Sequence, residues 1–281
     1  MRQIFYCLLS WIFLLGCSYN DLASDSTIDS ADQSYGDIVS ELVHERKISG
    51  VVLVKRGSET LHRQAYNVEP LQADFEILSN TAFAIASLTK SFTAVLMLDR
   101  ISEGMIELDK PISAYIPNFD AVYADSVTVR QLLQNRSGIP HYVDVPGWFD
   151  PKVKRGFTTE SFLAAMSSLE LKFTPGSDYY YSNVNYYLLG LILESATGQS
   201  YESLLHERIL EPLELNSTGQ IYSRSEIPIA PSYLREEDSY KQMQIGSPEL
   251  FRATASQMVN MHSMPLQVML RIPGWIQQAL L

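Results

Sequence analysis

The chain has 281 residues, 46% hydrophobic and 19% charged, with a formal net charge of -11. That length holds one large domain or two small ones, and the apolar share is enough for a substantial core. Its Lys and Arg residues are scattered, with no basic run, which argues against a nucleic-acid partner; the acidity suits solubility.

Met1-Arg2 and an apolar run from Ile4 to Leu15 open the chain. The run is too short to cross a bilayer as a helix. It ends in Leu14-Leu15-Gly16-Cys17, which resembles a bacterial lipoprotein processing site. On that reading residues 1–16 are a signal peptide and Cys17 carries lipid, anchoring the protein without spanning the membrane. The alternative is an ordinary secretory signal that happens to contain Cys17. Cys7, the other cysteine, would leave with the signal, so no disulfide is expected although the compartment permits one. Residues 17–35 are polar and acidic and read as a flexible tether. The expected location is the bacterial cell envelope, on the periplasmic face of the outer membrane.

Ile38, Val39, Leu42 and Val43 have helical spacing, which predicts a short amphipathic helix from Tyr35 to Lys47. Gly50 to Lys55 reads as a strand, β-branched and continuous enough to be buried on both faces. Arg56-Gly57-Ser58 is a turn, and Thr60 to Tyr66 returns as a second strand. From Ser87 to Glu103 the pattern is helical, with Phe92, Val95, Leu96, Met97 and Ile101 apolar and Gly104 at a C-terminal cap. Pro111 and Pro117 mark a loop. Further helices are expected over Val127–Gln134, Ser161–Leu169, Asn185–Thr197 and Tyr201–Leu210, with a loop at Trp148–Gly156. The middle of the chain is thus mostly helical, after a β-hairpin.

Two short motifs carry chemistry. Ser87 stands three residues before Lys90, at the start of a helix. Residues i and i+3 share a helix face, so a hydroxyl and an amine meet in one site. Serine needs a base to take its proton before it attacks. The bland reading makes Ser87 a helix N-cap and Lys90 an ordinary surface lysine. The second motif is Tyr181-Ser182-Asn183, just after Pro175-Gly176 and just before the Asn185 helix. A phenol there can relay protons, and an amide can bind a substrate carbonyl or hold the lysine. Its bland reading is a packing loop, since Tyr179, Tyr180, Tyr186 and Tyr187 surround it.

With these residues in order, the chain resembles the penicillin-recognising serine hydrolases, in the group similar to class C β-lactamases, low-molecular-weight penicillin-binding proteins and related esterases. Ala84 to Thr93 resembles the nucleophile segment, and Leu108 to Pro117 the loop after its helix. Val129 to Pro140 resembles a Leu-Leu-x-His-x-Ser-Gly segment. Phe173-Thr-Pro-Gly176 through Tyr181-Ser-Asn183 to Tyr201 resembles the second catalytic loop and the helix behind it, and Pro212 to Thr218 fits too. The likeness covers roughly residues 36 to 260. It implies an α+β, β-lactamase/transpeptidase-like fold: an antiparallel sheet flanked by helices plus a mostly helical region. It also implies that Ser87 is acylated, that Lys90 is base or holds the base's charge, that Tyr181 shuttles the proton and that Asn183 positions substrate. The Ser87 N–H would form half of an oxyanion hole.

Two departures stand out. Asn135 and Arg136 occupy positions where the family often has His and Thr, which is expected to affect loop packing. No Lys-x-Gly or His-x-Gly motif follows Tyr181; His262-Ser-Met264 lacks the glycine, and no Asp or Glu follows Glu249. The expectation is a hydrolase domain over 36–264 with an incomplete sheet, an atypical tail over 265–281, and a reading frame shortened or shifted near residue 264. His44, His62, His141, His206 and His262 show no metal-ligand spacing, so no metal or cofactor is expected; His141 lies near a site loop but reads as a surface or packing residue. Arg235-Glu-Glu-Asp238 reads as a solvated face. The functional expectation is an envelope serine hydrolase acting on D-Ala-D-Ala peptides, β-lactams or esters, peptidase- or esterase-like rather than a dedicated β-lactamase. The alternative is an incompetent family member or envelope binding protein. The expected partners are a small-molecule or peptide substrate and the membrane, through the lipid.

Overall fold

The computed structural model describes residues 35–46, 48–67, 75–144, 158–220, 229–236, 239–243 and 251–253. They group into two compact units, one up to Ser79 and one from Asn80 onward. The expected signal peptide, the expected tether with Cys17 except for Tyr35, the expected loop at Trp148–Gly156, His262 and residues 265–281 lie outside the described residues.

In the first unit, α1 (Tyr35–Arg46) buries Val43 from its apolar stripe. β1 (Ser49–Arg56) and β2 (Glu59–Asn67) form an antiparallel hairpin. Its turn holds Gly57 at φ 58, a conformation glycine adopts without penalty. The Ser40 hydroxyl meets Tyr66 Oη at 3.3 Å, tying α1 to β2. β1 is only half-buried, with Arg56 exposed, and so differs from the strand expected to be covered on both faces. Among the described residues it pairs with β2 alone.

The second unit is mostly helical. A 3-10 turn (Ala86–Leu88) leads into α2 (Thr89–Ser102). α3 (Val129–Leu133), α4 (Thr159–Ser167), α5 (Asn183–Thr197) and α6 (Tyr201–Leu205) follow, and a π-helical turn (His206–Leu210) continues α6. Short 3-10 turns lie at Ile112–Ala114 and Tyr142–Asp144. Polar caps start α3, α4 and α5: Thr128 with Gln131 and Thr158 with Ser161 form reciprocal capping boxes, and Ser182 caps α5. Gly198, left-handed at φ 70, ends α5. α5 packs against both α2 and α3. Phe92, Leu96 and Met97 of α2, Leu132 of α3, and Leu188, Leu189 and Ile192 of α5 are fully buried, each worth about 1.5–3 kcal/mol of transfer free energy. That core fixes α2 and α5 side by side, with their N-terminal ends carrying the two motifs.

The strands of this unit are short. β3 (Phe83–Ala84), β4 (Gly219–Gln220) and β7 (Phe251–Ala253) form an antiparallel sheet in the order β3-β7-β4. β5 (Ser232–Glu236) and β6 (Ser239–Met243) form a separate hairpin. The fold is α+β with antiparallel strands, as the resemblance implied. None of β3 to β7 is foreseen from the pattern. Pairings of two or three residues have no alternation to read, and β5 and β6 are rich in polar residues. Arg235 and Glu236, expected on a solvated face, belong to β5.

Candidate active site

Ser87 is exposed, in the 3-10 turn that precedes α2. It does not cap a helix. Ile85 and Leu88 occupy the cap positions, and neither makes a side-chain cap bond. The Ser87 hydroxyl instead meets Tyr181 Oη at 2.7 Å. Ala86, the residue before it, is left-handed at φ 44. A non-glycine residue held there costs about 1–2 kcal/mol, and such strain persists where surrounding structure enforces it.

Lys90, one turn on, is half-buried. Its Nζ donates to Ser87 Oγ at 3.4 Å and to Asn183 Oδ1 at 2.6 Å. It also lies 4.9 Å from the Tyr181 ring centroid and 5.6 Å from that of Tyr186. Burial, with the Tyr181 and Tyr179 charges, pushes the Tyr186 phenol up to about 12. Ser87, Lys90, Tyr181 and Asn183, which the sequence singled out separately, thus converge on one point.

A buried polar network holds the loop that delivers Tyr181. Asn135 is left-handed at φ 53. Its Oδ1 accepts from the Ser182 N–H at 3.2 Å and from Asn185 Nδ2 at 2.9 Å. Ser137 Oγ donates to Asn185 Oδ1 at 2.7 Å and accepts the Ile139 N–H at 3.0 Å. Ser182 Oγ donates to the Pro140 carbonyl at 3.0 Å and accepts the Val184 N–H at 3.3 Å. The Arg136 guanidinium donates to the Gly176 carbonyl through Nη2 at 2.5 Å, and the Gly176 N–H returns to the Arg136 carbonyl at 2.7 Å. Asn135, Ser137, Ser182 and Asn185 are all buried, where satisfied polar networks fix one arrangement. The two residues that depart from the resemblance, Asn135 and Arg136, are among those that grip the loop. The motif also sits differently from expectation: α5 starts at Asn183 rather than Asn185, because Ser182 caps it.

The Tyr142–Asp144 turn closes one side. Asn183 Nδ2 donates to Tyr142 Oη at 3.0 Å. His141 stacks on Tyr181, with centroids 6.4 Å apart, and packs on Tyr142 at 4.2 Å. Burial lowers the His141 imidazole from its ordinary 6.5; Asp144 opposes the shift and Lys90 adds to it. Asp144 anchors the turn by accepting from the His141 N–H at 3.2 Å and Tyr180 Oη at 3.0 Å, and by pairing with Lys172 at 3.2 Å.

A beta-lactamase family model matches residues 36–265. The chain belongs to the beta-lactamase family. Among relatives of this beta-lactamase-family chain, Protein flp of Staphylococcus aureus strain MW2 is 29% identical over 195 residues, 68% of this chain and 38% of flp. Esterase EstB of Burkholderia gladioli is 29% identical over 202 residues, 67% of this chain and 51% of EstB. The matches thus span only 38% to 51% of these relatives' own lengths. A penicillin binding protein from Bacillus halodurans superposes with a TM-score of 0.72 at 25% identity, covering 85% of this chain and 76% of that one. A D-stereospecific amidohydrolase from Streptomyces sp. gives a TM-score of 0.56 at 28% identity, covering 66% and 60%.

Sequence reasoning missed two members of the site in this beta-lactamase-family chain, Tyr142 and Asn185, and set a third, His141, aside. His141, read as a surface or packing residue, lies against Tyr181. The available signal was position alone, since His141-Tyr142 directly follow Ser137-Gly-Ile-Pro140. Among the described residues no group of His, Cys, Asp and Glu could hold a metal ion.

Proposed function

We propose that this chain is a serine hydrolase working through an acyl-enzyme on Ser87. The observation that carries this reading is the 2.7 Å contact between Ser87 Oγ and Tyr181 Oη, with Lys90 Nζ 3.4 Å from the same oxygen. As Ser87 Oγ attacks a carbonyl carbon, it gives its proton to Tyr181 Oη while Tyr181 Oη gives its own to the leaving-group atom, so the phenol ends with the proton count it began with. Lys90 places positive charge beside Ser87 Oγ as its O–H bond breaks. The carbonyl bond to the leaving group breaks, and the acyl group stays on Ser87 until water releases it. The Ser87 N–H, near the positive end of α2, stabilises the oxyanion. Asn183 holds Lys90 and faces the substrate.

The substrates we propose are D-Ala-D-Ala peptides, β-lactams or esters, with peptidase- or esterase-like action first. Support comes from relatives described as an esterase and a D-stereospecific amidohydrolase. We also propose that the protein works in the bacterial cell envelope, held by lipid on Cys17; lipid-analogue labelling lost in Cys17→Ser tests this. The functional test is turnover of a D-amino-acid amide, an aryl ester and a chromogenic β-lactam by wild type and Ser87→Ala. Ser87-dependent release from at least one supports the reading. A folded protein that turns over none, or a Ser87→Ala variant as active as wild type, contradicts it.

A further inference from the structure

Lys90 and Tyr142 do not touch the same atom of Asn183. Lys90 donates to Oδ1 at 2.6 Å, and Nδ2 donates to Tyr142 Oη at 3.0 Å. An ammonium has only donors, so the amide must present its oxygen to Lys90. That orientation sends the NH2 the other way, where it needs an acceptor. The Tyr142 phenol oxygen supplies one. If the amide turned over, its NH2 would face the ammonium, donor against donor. Lys90 thus selects the amide orientation, and Tyr142 is the group that anchors it from the other side by accepting the NH2. Its own place is fixed by the 3-10 turn that Asp144 ties to Tyr180 and Lys172.

We infer that Tyr142 is a positioning residue: its phenol oxygen fixes the Asn183 amide and, through it, the Lys90 amine. The inference rests on the proposed reading only where it concerns acylation of Ser87. Tyr142 also packs its ring on His141 at 4.2 Å, so a purely structural role must be separated from an acceptor role. Two substitutions separate them. Tyr142→Phe keeps the ring and removes the acceptor. Tyr142→Gln removes the ring and offers a carbonyl oxygen.

The deciding readout needs no turnover. The full-length protein is treated with limiting acetic anhydride, and acetylation of Lys90 is measured by peptide mass spectrometry against Lys110 as internal reference. Lys90 in Tyr142→Phe reacts about three- to tenfold faster than in wild type, the scale of a weakened hydrogen bond to a charged group. Tyr142→Gln stays nearer to wild type. In an Asn183→Ala background, Tyr142→Phe adds nothing, because the link is already cut. The inference is overturned if Tyr142→Phe reacts as wild type does, if Tyr142→Gln departs at least as far as Tyr142→Phe, or if Tyr142→Phe still acts without Asn183. Where Ser87 is labelled by a fluorophosphonate, the labelling rate of Tyr142→Phe also falls, by about tenfold. No labelling of wild type would count against the proposed function, while Lys90 acetylation would still decide this inference.

Discussion

Ser87 Oγ and Tyr181 Oη lie 2.7 Å apart although 94 residues separate them in the chain. Neither side chain is placed by its own helix alone. Ser87 depends on the strained turn before α2, and Tyr181 on the network centred on Asn135. Tyr181→Phe keeps the ring over Lys90 and removes only the hydroxyl. It lowers kcat/KM on any accepted ester by about 100- to 10000-fold, the range of a general acid–base group. Its melting temperature stays close to wild type. Steady-state kinetics beside a thermal melt make the comparison.

Asn135→Leu removes the acceptor shared by Ser182 and Asn185. A backbone N–H and an amide NH2 are then left buried without it, which costs about 2–6 kcal/mol at about 1–3 kcal/mol for each group. Urea unfolding reads this as a lower midpoint. A midpoint equal to wild type would show that the network does not hold the loop.

Much of this site is legible in the sequence because it is built on local spacing. Ser87 and Lys90 share a face by the i, i+3 rule, and Tyr181-Ser182-Asn183 lies in one step of chain before a helix. α1 is equally legible from its helical apolar spacing, and the hairpin from its β-branched run and the turn at Gly57, although the burial of β1 is not. The partnership between the motifs follows from the resemblance rather than from spacing. The role of Asn135 is legible only as an expected effect on loop packing, and that of Asn185 not at all: a buried amide looks like any exposed amide until its partners are placed. Tyr142 is hidden for the same reason, because the acceptor it offers matters only once the Asn183 amide is oriented by Lys90.

Gly138 and Gly104 are both left-handed, at φ 80 and φ 75. They differ in surroundings. A Cβ on Gly138 would run into the Phe173 carbonyl, whereas Gly104 has nothing within 4 Å of that position. Gly104→Ala costs about 1 kcal/mol, for the conformation alone. Gly138→Ala costs more, about 2–4 kcal/mol, since backbone must also move. It also lowers activity, because the Gly138 carbonyl accepts the Lys172 N–H at 2.8 Å beside the site. Equal costs for the two substitutions in chemical denaturation would refute this account.

Asp99 links α2 to the π-helical turn, accepting from Arg208 Nε at 2.9 Å and Arg100 Nη2 at 2.5 Å. Burial alone would raise its carboxyl, but the hydrogen bonds and charges of Arg208 and Arg100 outweigh it and hold the group below its ordinary 3.8. A carboxyl lowered by folding adds stability that is fully present above 3.8 and is lost as pH falls through the lower folded value. Thermal melts taken down to about pH 2.5 show this loss in wild type. Asp99→Asn has a lower melting temperature at neutral pH and a shallower fall in acid. An unchanged acid slope in Asp99→Asn would contradict the assignment.

The central claim is that Ser87 is the nucleophile. The most direct measurement is intact-protein mass spectrometry after treatment with a fluorophosphonate, followed by peptide mapping. One adduct per chain is expected, located on Ser87, with none on the Ser87→Ala variant. A folded wild-type protein that takes up no adduct, or one whose adduct maps to another residue and persists in Ser87→Ala, would contradict it.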